Sequence, residues 1–180
     1  MSDDAEQLID LDARPADASA RRDRIRDWLI ASGWAGDPLP ADYADLPDAL
    51  MFQFGPRALR DFPTFRYASL GLTGNNGIWM TDGEPEPPQC PTCGTENEEY
   101  WEQLEEWSTT GVEPVSTCES CGFTGPVGDW VIDNTPLGGS MGISISFASS
   151  EYAGEDVART LLAELKDGLG GRWAYTHHHL

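Results

Sequence analysis

Ile143-Ser144-Ile145-Ser146-Phe147, the spaced leucines that follow, and Arg172-Trp173-Ala174-Tyr175-Thr176-His177 together decide the fold class. In the first run, strict alternation puts Ile143, Ile145 and Phe147 on one face and two serines on the other, the pattern of a half-buried strand. Val157, Leu161, Leu162, Leu165 and Leu169 then recur at helical spacing. Glu155 and Asp156 near the start and Lys166 near the end suit the helix dipole, and Gly168, Gly170 and Gly171 end the helix. Arg172 to His177 alternates again, with Trp173 and Tyr175 on one face. The C-terminal unit therefore reads as strand–helix–strand, with the two strands as parallel neighbours joined by a right-handed crossover. The fold class expected is α+β.

Upstream, Gly77-Ile78-Trp79-Met80-Thr81 reads as a strand between the turns Gly74–Gly77 and Asp82-Gly83. Gly128 to Asp133 reads as another. A small sheet is expected from strands near 78–81, 129–132, 143–147 and 172–177, with the helix at 155–168 on one face. Ser19 is a plausible N-cap for a helix whose Ile25, Trp28 and Leu29 share a face and which Gly33 ends. Short helices are expected at Asp48–Phe54 and Arg57–Phe62, in a stretch punctuated by prolines. Met51, Phe52, Phe54, Phe62, Phe65 and Tyr67 read as core. Residues 1–18, rich in Asp and Ala, read as a flexible acidic tail.

The four cysteines form two matched knuckles, Cys90-Pro91-Thr92-Cys93-Gly94 and Cys118-Glu119-Ser120-Cys121-Gly122. Two residues between cysteines let one tight turn aim both sulfurs at one ion. The following glycine permits a left-handed backbone. Four thiolates suit tetrahedral zinc about 2.3 Å from each sulfur, and the metal set is Cys90, Cys93, Cys118 and Cys121. The same thiolates also suit a rubredoxin-like iron site. Redox-active pairs or two disulfides fit less well, because the pairs are matched and no thioredoxin-like βαβ pattern surrounds them.

Residues 88–124, on these two knuckles, resemble a zinc ribbon. The resemblance implies a structural Zn2+ site with all four positions filled by protein, and no particular activity. The acidic stretch Glu96 to Glu106 departs from nucleic-acid-binding ribbons, which carry basic residues there. Between the knuckles Tyr100, Trp101, Leu104 and Trp107 have helical spacing. Residues 84–124, opened by the proline-rich Glu84 to Pro88, are expected as an insertion into an α+β domain built from 19–83 and 125–180.

Asp and Glu total 31 against 11 Lys and Arg, for a net charge of -20, and Lys166 is the one lysine. Such a surface does not neutralise phosphates, so nucleic acid is an unfavoured partner. It also repels anionic membranes, and no apolar run approaches the ~18 residues that span a bilayer. Met1 to Asp12 has neither a basic n-region nor an apolar h-region, so a soluble cytoplasmic protein is expected. High-salt adaptation and a docking surface for a basic protein both fit the acidity; the scarcity of lysine favours the first.

No catalytic residues and no cofactor-binding residues can be assembled. His177, His178 and His179 are the only histidines, and in a strand only His177 and His179 share a face. An exposed strand end is the plainer reading than a second metal site. Asp129, Asp133, Glu84 and Glu86 could pair for acid–base work, but such pairs arise by chance in so acidic a chain. Gly74, Gly77, Gly138 and Gly139 make no phosphate loop. The function expected is non-enzymatic: a zinc-stabilised protein acting by macromolecular binding, with an acidic inhibitor or immunity-type protein as one concrete form. The alternative is an enzyme with a substrate site in the aromatic-rich N-terminal half.

Overall fold

The computed structural model describes residues 4–40, 49–81, 84–132, 134–147 and 154–179. Ten strands and four helices alternate along them. The strands are β1 (Asp4–Asp10), β2 (Ala35–Pro38), β3 (Leu50–Phe54), β4 (Ser69–Thr73), β5 (Gly77–Trp79), β6 (Val115–Thr117), β7 (Thr124–Pro126), β8 (Leu137–Gly139), β9 (Gly142–Ser146) and β10 (Trp173–His179). The helices are α1 (Ala18–Ala31), α2 (Pro56–Asp61), α3 (Tyr100–Thr110) and α4 (Gly154–Leu169). The class is α+β. Six strands form one wholly antiparallel sheet in the order β10-β1-β9-β4-β3-β2.

The alternation of β9 is realised: Ile143 and Ile145 are fully buried and the serines are half-buried. Strand β9, helix α4 and strand β10 follow in the expected order. The two strands run parallel but are not neighbours, because β1 lies between them and pairs antiparallel with both. The tail expected at residues 1–18 is thus corrected over Asp4–Asp10, which form an interior strand of the sheet. Its apolar content is only Ala5, Leu8 and Ile9, but Leu8 and Ile9 are fully buried, on opposite faces. Burial of each stabilises by roughly 1.5–3 kcal/mol. Glu6 and Asp10 are buried with partners distant in sequence. Arg21 Nε and Nη2 each donate to Asp10 at 2.8 Å, and Tyr175 donates to Glu6 at 2.7 Å. Burial still pushes the Asp10 carboxyl above its ordinary range, against the pull of Arg21.

The helix expected at Asp48–Phe54 is instead β3 over Leu50–Phe54, and Asp48 lies outside the described residues. Phe52 and Phe54 are buried while Gln53 is exposed, a period of two that pairing with β2 and β4 enforces. The strand expected at Gly128–Asp133 is instead a 3-10 turn at Val127–Asp129, followed by an isolated bridge from Val131 to Gln89. The 78–81 strand pairs with β8 in a separate two-stranded sheet. Helix α1 begins at Ala18, one residue before the expected cap.

One face of the large sheet carries Leu8, Leu70, Leu72, Ile143 and Ile145 against Ile25 and Leu29 of α1, Ala58 of α2, and Val157, Leu161 and Leu165 of α4. Phe52, Phe54 and Phe65 belong to this core, whereas Tyr67 is 73% exposed. The other face is covered at its β1–β10 end. There Ile9, Leu11 and Ala174 meet Tyr100, Leu104 and Trp107 of α3, with Trp79 and Leu137 of the small sheet. The glycines near 138–142 make that contact possible. A Cβ on Gly138 would sit 2.5 Å from the Trp107 ring, and one on Gly142 would sit 2.4 Å from the Trp79 ring.

Candidate metal centre

The two knuckles are the same structure twice. Cys90 N–H donates to Thr95 O and Gly94 N–H to Cys90 O, both at 2.8 Å; Cys118 N–H donates to Phe123 O and Gly122 N–H to Cys118 O, again both at 2.8 Å. Gly94 and Gly122 have φ of 75° and 77°. Nothing lies within 4 Å of a Cβ built on either, so the requirement is for left-handed backbone and not for space.

The turns bring four sulfurs together. Cys90 Sγ lies 3.6 Å from Cys121 Sγ and Cys93 Sγ lies 3.5 Å from Cys118 Sγ, with all four within 4.8 Å of one another. A metal 2.3 Å from four tetrahedral sulfurs spaces them about 3.8 Å apart. A disulfide would need about 2.05 Å, and all four cysteines are free. The distances therefore fit a four-thiolate metal site of mixed pairing, one cysteine of each knuckle beside one of the other. Cys90 and Cys118 are buried, and Cys93 and Cys121 face solvent.

Without a metal the thiols differ in acidity. The Thr95 hydroxyl, 3.3 Å from Cys93 Sγ, and the Thr95 amide hold the Cys93 thiol down to about 6. At Cys121 the Phe123 amide favours the thiolate, but burial and the three neighbouring sulfurs outweigh it and push the thiol up to about 12. Four thiolates at these distances would repel one another unless a cation sat among them. The four cysteines could hold a metal ion, and would then supply four ligands to it.

The site is mounted on two short ladders and a polar brace. Strands β6 and β7 pair from Val115–Pro126 to Thr117–Thr124, which carries Cys118. Gln89 bridges both Glu96 and Val131, which carries Cys90. Trp130 and Phe123 meet edge-to-face and cluster with the inner cysteines. Farther in, Asn97 Nδ2 donates to Gln103 Oε1 and to Ser116 Oγ at 3.0 Å, and Ser116 donates to Gln103 at 2.7 Å. Tyr100 donates to the Pro136 carbonyl, and its burial pushes the phenol up.

No family model, no curated protein and no solved structure matches this chain. The reading of the site thus rests on its own geometry.

The segment is tied to the large sheet by Arg172. Its guanidinium donates to Glu113 at 2.6 and 3.0 Å and to Asp129 at 2.7 and 3.0 Å, while Gly128 N–H donates to Glu113 at 2.7 Å. The buried Glu113 and the partial burial of Arg172 make this the main ionic link between residues near the cysteines and β10. Sequence reading missed it, since one arginine among 31 acids does not announce its partner. Asp129 is thereby paired with a cation and not with another carboxylate. Glu84 and Glu86 are exposed beside Asn134, and Asp133 lies outside the described residues. His177 Nδ1 lies 3.0 Å from Glu6 Oε2 on β1. Gly77 and Gly139 face each other across β5 and β8. The Asp4–Asp10 strand brings Glu6, Tyr175 and His177 together; only the strand's pairing could have revealed that group.

Proposed function

We propose that this chain is a non-enzymatic, zinc-stabilised protein that works by binding another protein of basic character. The zinc assignment rests on the tetrahedral spacing of four thiolates and on the closed, redox-inert coordination that zinc favours. The two knuckles, each leading into or out of a short ladder, support the zinc-ribbon resemblance over residues 88–124.

The outer face of α3 carries the binding proposal. Trp101 is 43% exposed, and Glu98, Glu99, Glu102, Glu105 and Glu106 are all exposed around it. Locally this pattern is unfavourable. Glu102 and Glu106 form a like-charge i,i+4 pair, which costs a few tenths of a kcal/mol. The C-terminal half of the helix carries acids and no cation, against its dipole. No Lys or Arg occurs between Arg66 and Arg159, so this segment supplies no cation of its own, and Arg172, which reaches it, is taken up by Glu113 and Asp129. A four-thiolate zinc site adds two further negative charges. An exposed indole flanked by carboxylates suits a guanidinium or ammonium group, through cation–π contact and steering.

The test is affinity capture at near-native salt, run in parallel with a variant carrying W101A, E102Q, E105Q and E106Q, and with a small-molecule thermal-shift screen. Wild type should retain a basic protein that the variant releases, with binding that weakens as salt rises. A metabolite that stabilises the fold, with no protein retained, sinks the proposal in favour of an enzyme.

A further inference from the structure

We infer that the four-cysteine cluster is also an oxidation site, at which a small neutral hydroperoxide forms two disulfides between the knuckles, Cys93–Cys118 and Cys90–Cys121, and the metal is released. The inference rests on the zinc reading above.

Each short sulfur contact joins unlike partners. The exposed Cys93 lies 3.5 Å from the buried Cys118, and the exposed Cys121 lies 3.6 Å from the buried Cys90. One sulfur of each pair therefore meets an oxidant from solvent, and its partner is buried on the opposite knuckle. The approach is open. Pro91 to Glu96 and Glu119 to Gly122 are exposed, and nothing lies within 4 Å of a Cβ built on Gly94 or Gly122. Thiolate is both the form that ligates a metal and the form that attacks a peroxide. Zinc has no redox chemistry of its own, so the electrons come from sulfur.

The step balances within each pair. The exposed thiolate attacks one peroxide oxygen, the O–O bond breaks, and the other oxygen leaves as hydroxide or alkoxide and takes a proton from solvent. The buried thiolate then attacks the sulfur of the sulfenic acid so formed. An S–S bond forms, the S–O bond breaks, and hydroxide leaves. Each disulfide thus consumes one hydroperoxide, which two electrons from sulfur reduce. Reaching the ~2.05 Å of a disulfide closes each contact by about 1.5 Å. When both pairs have reacted the four sulfurs are neutral, and nothing holds the ion. The new bonds tie one knuckle to the other in its place, so α3, between Cys93 and Cys118 in the chain, stays enclosed.

Charge selects the oxidant. Glu96 follows the first knuckle and Glu119 lies within the second, both exposed, and no Lys or Arg occurs between Arg66 and Arg159. An anionic oxidant such as glutathione disulfide is repelled here, and a neutral hydroperoxide is not.

The experiment treats the full chain, first analysed for zinc, with two equivalents of hydrogen peroxide in dilute buffer. A chromophoric chelator reads zinc release and peptide mass spectrometry reads the disulfides. One zinc should leave for two peroxides consumed, with Cys93 joined to Cys118 and Cys90 to Cys121. Amides of Gly94 and Gly122 should exchange at least about tenfold more slowly in the oxidised protein than in the chelated, reduced protein. Changing Glu96→Gln together with Glu119→Gln should speed zinc release by glutathione disulfide at least about threefold and leave the peroxide rate unchanged. A chain that holds no zinc at the outset overturns the zinc reading and the exchange with it. Zinc that stays bound through the peroxide treatment, or disulfides formed within a knuckle as Cys90–Cys93 and Cys118–Cys121, overturns this inference alone. Equal acceleration of both oxidants by the double variant overturns the charge selection.

Discussion

Removing the metal should unfold the knuckles and leave the large sheet standing. The perturbation is chelation of the purified protein, or Cys118→Ser. The structure separates the two regions. Around the sulfurs the apolar packing is limited to Cys90, Cys118, Trp130 and Phe123, whereas the main core gathers 22 buried residues between the sheet and its helices. The knuckles therefore have little besides the metal to hold them, and the sheet has no need of it. With free zinc at a thousand times its dissociation constant, binding raises the cost of opening by about 4.1 kcal/mol, which is about a thousandfold in the opening equilibrium. Hydrogen exchange reads this residue by residue. Amides of Cys90, Gly94, Cys118 and Gly122, each donating within a knuckle, should exchange about a thousandfold faster after chelation. Amides of Leu8, Ile143 and Ile145 should change by less than about threefold. Uniform acceleration across both sets would refute the separation, and no acceleration at the knuckles would refute the metal.

Arg172→Met should cost about 2–3 kcal/mol, below the usual range for breaking a buried pair because Arg172 is 33% exposed. A double-mutant cycle with Glu113→Gln, read by denaturant unfolding, should show a large part of that loss as coupling; additive losses would mean that the pair does not hold the segment. Gly138→Ala should destabilise by about 1–3 kcal/mol, because its methyl would meet the fully enclosed Trp107 ring, and an unchanged melting temperature contradicts that packing. Added potassium chloride should raise the melting temperature as the Debye length falls from about 30 Å at 0.01 M to about 3 Å at 1 M, with net charge -20 repelling itself; a flat or falling curve goes against it. In metal-free protein Cys93, held down to about 6, should be alkylated at half its limiting rate near pH 6, and Cys121, pushed up to about 12, should be the slowest of the four. The sign follows from the thiolate being the nucleophile: Cys93 loses reactivity only as pH falls through about 6, and mass spectrometry of the alkylated peptides gives the order.

What could be read from the sequence was whatever is local. A knuckle is decided by two cysteines, two spacers and a glycine, and it folds as those residues require. Strand β9, helix α4 and strand β10 each carry their period within themselves. Strand β1 does not. Glu6 and Asp10 look like solvated charge until Tyr175, His177 and Arg21 arrive from 11 to 171 residues away, and a strand with three apolar residues gives no periodicity to find. Strand β3 was hidden for a related reason: Leu50 to Phe54 is too short to tell a period of two from one turn of helix. The glycines at 138, 139 and 142 lacked meaning without the tryptophans that lie over them.

A net charge of -20 invites a single explanation, yet the acids divide by what they face. Glu6, Asp10 and Glu113 are buried and answered by Tyr175, Arg21 and Arg172, so they belong to folding. Glu98 and Glu99 just before α3, and Glu102, Glu105 and Glu106 on it, are exposed in a stretch that has no cation between Arg66 and Arg159. A general response to salt would not sort cations to both ends of the chain and leave the metal-bearing middle without any. That sorting agrees with the proposed surface for a basic partner, and Arg172, which does reach this segment, is taken up by Glu113 and Asp129.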